Sequence, residues 1–103
     1  MNDLEARLTK AKAWLPTVSP DDEAVGLYIV KTAGVVGGRA RIEGTRIAVW
    51  HLAERLRAGD SARDLLDDFP YLGIERITSA LIYAVDHEAE IAADIREQDE
   101  AFA

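Results

Sequence analysis

The stretch that decides the fold is VWHLAERLRAGDSARDLLDDFPYLGIERITSALIYAV, residues 49–85. Its apolar positions keep helical spacing in successive blocks. Val49, Leu52, Ala53 and Leu56 share one face, and Gly59 stands where a helix ends in the left-handed conformation. Ser61-Ala62-Arg63-Asp64 reads as a capping box with Asp in place of Glu, opening a second helix that buries Ala62, Leu65, Leu66 and Phe69. Pro70-Tyr71-Leu72-Gly73 leaves room only for a tight turn. A third helix then turns Ile74, Ile77, Leu81 and Ala84 or Val85 inward. Short helices in this succession predict a trihelical helix-turn-helix core.

Upstream, Arg39-Ala40-Arg41-Ile42-Glu43-Gly44-Thr45-Arg46-Ile47 reads as a β-hairpin turning at Glu43-Gly44. That register sets Arg41 opposite Arg46 and Ala40 opposite Ile47. Ala40, Ile42, Ile47 and Val49 then face inward, and Arg39, Arg41 and Arg46 share the other side. Further out, Leu4, Leu8, Ala11 and Leu15 mark an amphipathic helix ended by Pro16. Ser19-Pro20-Asp21-Asp22 opens a short helical turn that runs to Gly26, and Leu27-Tyr28-Ile29-Val30 is a strand candidate. Downstream, Asp86 caps a final helix carrying Ile91, Ile95 and Phe102. The fold class expected is therefore mostly α, of α+β type. Residues 1–36 form an N-terminal helical extension with a short strand, 37–85 the hairpin and helix-turn-helix core, and 86–103 an acidic C-terminal helix.

The bulk properties narrow the function. At 103 residues the chain has one modest core, and with 49% hydrophobic and 30% charged residues it is not a disordered chain. Without cysteine there is neither a disulfide scaffold nor a thiolate metal ligand. No apolar run nears the ~20 residues of a bilayer span, and the N-terminus lacks a signal-peptide pattern, so the expected location is cytoplasmic. The net charge of −7 argues against nucleic acid until its distribution is seen. Residues 37–85 balance seven arginines against seven acids, whereas 86–103 set seven acids against Arg96 alone. Two surfaces with different tasks are implied.

Residues 29–95 resemble the domain of unknown function 433 family. The likeness rests on Gly37-Gly38, on Ile42 with Gly44-Thr45-Arg46-Ile47, on Asp68-Phe69-Pro70-Tyr71-Leu72, and on Ile77, Ala80-Leu81 and Tyr83-Ala84. It implies a helix-turn-helix-like bacterial protein and, where a role is proposed, the antitoxin beside a PIN-like ribonuclease toxin. Ala40 and Ala48 stand where the family tends to have proline, and Gly73 where Ser, Thr or Asp caps the third helix.

The candidate contacts follow from these readings. Arg39, Arg41 and Arg46 form a cationic hairpin face whose opposed charges call for an anion, either phosphate or carboxylates such as Glu43, Glu54 or those of a second subunit. Arg76, Thr78 and Ser79 lie where a recognition helix touches duplex DNA, or on an ordinary solvated face. Ile91, Asp94, Ile95, Glu97 and Phe102 form an acidic amphipathic helix suited to a cationic ribonuclease, or to packing on the rest of the chain. His51 and His87 lack the converging ligands of a zinc site, and no nucleophile or phosphate-loop motif occurs. The chain is thus expected to be no enzyme and to need no cofactor or metal. The expectation is an autoregulating antitoxin, homodimeric on operator DNA; the alternative is a protein-interaction module whose helix-turn-helix does not bind DNA.

Overall fold

The computed structural model describes residues 21–101. Three short strands, β1 (Glu23–Gly26), β2 (Ile29–Lys31) and β3 (Arg41–Ile42), precede four helices, α1 (Val49–Arg57), α2 (Ala62–Asp68), α3 (Gly73–Asp86) and α4 (Glu88–Ala101). One-turn 3₁₀ segments lie at Val36–Gly38 and Pro70–Leu72. The protein is thus mostly helical with a small antiparallel sheet of order β1-β2-β3. The helix expected over residues 4–15 and the cap at Ser19 fall outside the described residues, as does Phe102. Among the described residues no helix is long and apolar enough to cross a membrane.

The sheet differs from the expected hairpin. The turn expected to end at Gly26 as a helix is instead β1, which reverses through Leu27-Tyr28 and pairs Ala24 with Val30. Tyr28 takes a φ of 61° there. β3 pairs along β2, with Ile29 against Ile42 and Val30 against Arg41, and meets the segment after Gly44 in a register other than the expected one. Thr45 is the physical reason. Its hydroxyl donates to the Ile42 carbonyl at 2.8 Å and accepts from the Ile47 amide at 3.0 Å. The turn therefore widens, and the Ile42 amide reaches the Ile47 carbonyl at 2.9 Å. Arg41 consequently stands against Ala48, not against Arg46.

Helix α2 starts as its sequence dictates. The Ser61 hydroxyl accepts from the Asp64 amide at 3.1 Å, and the Asp64 carboxylate accepts from the Ser61 amide at 2.8 Å. Arg55 of α1 then reaches Asp60 at 2.7 Å and Asp68 at 2.6 Å, tying α1 to both ends of α2. The core gathers Ile29 and Ile42 from the sheet, Val49 and Leu52 from α1, Leu65 from α2, Ile77, Ala80 and Tyr83 from α3, and Ile91 and Ile95 from α4.

Helix α3 keeps part of its expected register, with Leu81 and Ala84 packed against the core beside Ile77. Ile77 is fully buried, but Ile74 is 46% and Val85 75% exposed, while Ala80 and Tyr83 take the inward positions. Ile82 is 56% exposed beside them. Two apolar stripes run along this helix, and the one carrying Ala80 and Tyr83 meets the sheet and α1.

Gly73 starts α3 with φ 74° and ψ 162°, a conformation essentially confined to glycine. An ordinary N-cap residue at this position is therefore expected to harm this chain. Gly73→Ser should cost about 1–3 kcal/mol, the strain of that backbone region. A thermal melt checks it, and a variant as stable as the parent would mean that α3 can start on an ordinary N-cap.

Candidate functional site

The glycine-rich turn, the β3–α1 junction and the start of α1 enclose an open groove of about 450 Å³. Arg46, Trp50, His51 and Phe69 line it, with Arg39 and Gln98 at its border. Helical spacing places Trp50 and His51 just off the buried stripe of Val49, Leu52 and Ala53, so their rings lie along the edge of α1. Trp50 and His51 meet edge to face at 5.7 Å between centroids, His51 and Phe69 at 6.4 Å, and Phe69 and Tyr71 at 6.4 Å. Aromatic pairs favour this perpendicular geometry. The guanidinium of Arg55, held by its two aspartates, lies 5.9 Å from the Phe69 ring and fixes it from the α1 side. The row ends at Tyr71, 68% exposed. Arg46 is exposed and, among the described residues, has no ion-pair partner.

The expected cationic hairpin face does not form. Arg41 is buried, and its guanidinium donates to the Thr45 carbonyl at 2.9 Å, the Thr32 hydroxyl at 2.9 Å and the Asp22 carboxylate at 3.3 Å. It holds the sheet together and offers nothing to a phosphate. Arg39 turns to α4, bonding Glu97 and standing 3.8 Å from Asp94. The counter-charges were expected from Glu43, Glu54 or a second subunit; they come from Asp22, Asp94 and Glu97 of the same chain. Of the six candidate DNA contacts, Arg39 and Arg46 border this one groove. Arg76 lies over the Tyr28 ring at 4.8 Å, Thr78 borders an apolar hollow with Leu81 and Ile82, and Ser79 faces a different one with Leu27 and Tyr83.

The acidic helix is likewise used within the chain. Ile91 and Ile95 are core residues, not a free stripe for a partner, and Asp94 and Glu97 answer Arg39. Glu90 takes hydrogen bonds from Lys31 at 3.1 Å and from the Tyr83 hydroxyl at 2.9 Å. Burial, followed by the neighbouring Glu90, holds the Tyr83 hydroxyl well above its ordinary range and the Asp94 carboxyl above its own. His87 stacks on Tyr83 at 4.0 Å, and His51 belongs to the aromatic row.

The aromatic groove escaped the sequence reading because its members belong to different helices. Phe69 packs against the core as its helical spacing predicts, and its exposed edge is what the spacing does not show. The one local hint was an aromatic beside a histidine at the start of a helix whose buried face was already filled.

Comparison with known proteins places these features in a family. The curated protein y4eO of Sinorhizobium fredii (strain NBRC 101917 / NGR234), itself uncharacterised, is 37% identical over 65 residues. That match covers 62% of this chain but only 29% of the relative, so the chain corresponds to a minor part of that longer protein. A crystal structure of a DUF433 member from Anabaena variabilis ATCC 29413 superposes with a TM-score of 0.68 at 28% identity, covering 93% of this chain and 85% of that one. The family model for the protein of unknown function DUF433 matches residues 29–84, from β2 to near the end of α3. This chain belongs to the DUF433 family.

Proposed function

We propose that the chain acts by binding another protein, as an antitoxin-type module that occupies a PIN-like ribonuclease, and that it is not an enzyme. One observation carries this reading: the half-buried rings of Trp50 and Phe69 continue into the exposed rings of His51 and Tyr71, with Arg46 at the edge of the groove. Trp, Tyr and Arg are the residue types that dominate the binding energy of protein interfaces. The surrounding charge suits a basic partner, since the chain carries −7 overall and much of its acid lies on α4, next to the groove at Gln98. Duplex DNA fits less well, because Arg41 is buried and Arg39 is neutralised by carboxylates.

Operator binding is the second reading. The passage from α2 through Pro70–Leu72 into α3 has the short connection of a helix-turn-helix, and Arg46 remains exposed to meet a phosphate. The location consistent with both readings is the cytoplasm.

Titration calorimetry with a ribonuclease from an adjoining gene separates the two readings. Trp50→Ala is expected to weaken the complex by about 2 kcal/mol or more, roughly thirtyfold, with duplex DNA producing no salt-dependent shift. Unchanged affinity in the Trp50→Ala protein would remove the aromatic row from the interface. Salt-dependent binding of duplex DNA by the parent chain would favour the second reading.

A further inference from the structure

We infer that the face formed by the C-terminal half of α1, the last turns of α3 and the start of α4 is a self-association surface that takes a second copy of this chain. A trough of about 250 Å³ runs between the C-terminal half of α1, the last turns of α3 and the start of α4. Leu56, Leu81 and Val85 line it, and at Leu81 and Val85 it continues into a second hollow along Ile82. Leu56 is 41%, Ile82 56% and Val85 75% exposed, although each sits on a regular helix where a polar residue would cost nothing. A helix with apolar stripes on opposite sides is built to be covered on both. The first stripe of α3 meets the core of its own chain, and the second leaves Ile82 and Val85 more than half exposed.

The rim of the trough identifies the occupant. Arg57 stands on its α1 wall and Glu88 on its α4 wall. Both are exposed, and neither has an ion-pair partner among the described residues. A two-fold axis over the trough between Leu56 and Val85 turns each wall toward the opposite wall of the other copy. Arg57 of each chain then meets Glu88 of its mate, and the apolar floor of each is closed by Leu56 and Val85 of the other. An isologous interface demands such a surface, complementary to itself in charge as well as in shape. This surface is distinct from the aromatic groove and stands or falls without it.

Sedimentation equilibrium on the full chain tests the assignment. The parent protein is expected at twice 11.3 kDa in the micromolar range. Val85→Glu should raise the dissociation constant about a hundredfold or more, because the new carboxylate would be buried unpaired, while circular dichroism and the melting curve stay those of a folded chain. Arg57→Glu and Glu88→Arg should each weaken self-association by like-charge opposition. Mixing those two variants should restore a mixed dimer, since both cross-pairs then join opposite charges. A parent chain that sediments as a monomer, or a dimer untouched by Val85→Glu, overturns the proposal. Failure of the mixed variants to associate, with Val85→Glu active, would overturn the two-fold pairing of Arg57 with Glu88.

Discussion

Arg41→Ala is expected to destabilise the protein by roughly 3–5 kcal/mol, the cost of breaking a buried charge pair from one side. The guanidinium stands between three acceptors, and no single replacement reproduces its fork. Removing it takes this guanidinium from the Asp22 carboxylate, whose side chain is only 5% exposed, and frees the Thr45 carbonyl at the turn that directs the chain into α1. Thr32 still donates to Asp22 at 2.6 Å, but a hydroxyl does not neutralise a carboxylate. Arg46→Ala, five residues on, should change stability by no more than about 0.5 kcal/mol, as exposed substitutions do. Urea unfolding of the two variants side by side decides the matter. Equal losses would mean that the Arg41 network contributes nothing that an exposed arginine does not.

The second large effect lies on α3. Ile77→Ala should cost about 2–5 kcal/mol, because the side chain is fully buried and the surrounding core closes only partly over the cavity. Val85→Ala, on the same helix, should stay within about 0.5 kcal/mol in the monomer, because the side chain is three-quarters exposed. The pair reads out which stripe of α3 faces the core. Comparable losses at both positions, measured by denaturant unfolding at a concentration where the chain is monomeric, would contradict the register described above.

That same register shows where the sequence stops being informative. The Ser61 capping box was legible because everything it needs lies within four residues. The limits of α1, α2 and α3 were legible for the same reason, set by Gly59, Pro70 and Gly73. The face of α3 was legible in part: Ile77, Leu81 and Ala84 pack inward as expected, but Ile74 and Val85 fit the same stripe and are exposed, while Ala80 and Tyr83 complete the buried side. Only contact with the sheet and α1 chooses between them. Arg41 failed for a related reason. Alternation within a supposed hairpin put it outside, whereas its strand partner is β2 and its counter-ion Asp22 lies 19 residues upstream. The acids of α4 were legible as a charge run, but their pairing with Arg39 across 58 positions was not.

The crowding of carboxylates around Arg39 carries a consequence for proton uptake. Asp94 sits above its ordinary value of 3.8, through burial first and then Glu90. It therefore holds a proton more tightly in the folded chain than in the unfolded one. As acidity increases through the raised value toward 3.8, folding takes up that proton and the docking of α4 gains. Asp64 has the opposite sign. Its hydrogen bonds from Ser61 hold it below 3.8, so its cap contributes fully above that value and is lost as the pH falls through the lowered one. Of these two carboxyls, Asp94 thus favours folding as the pH falls toward 3.8, and Asp64 opposes it as the pH falls further.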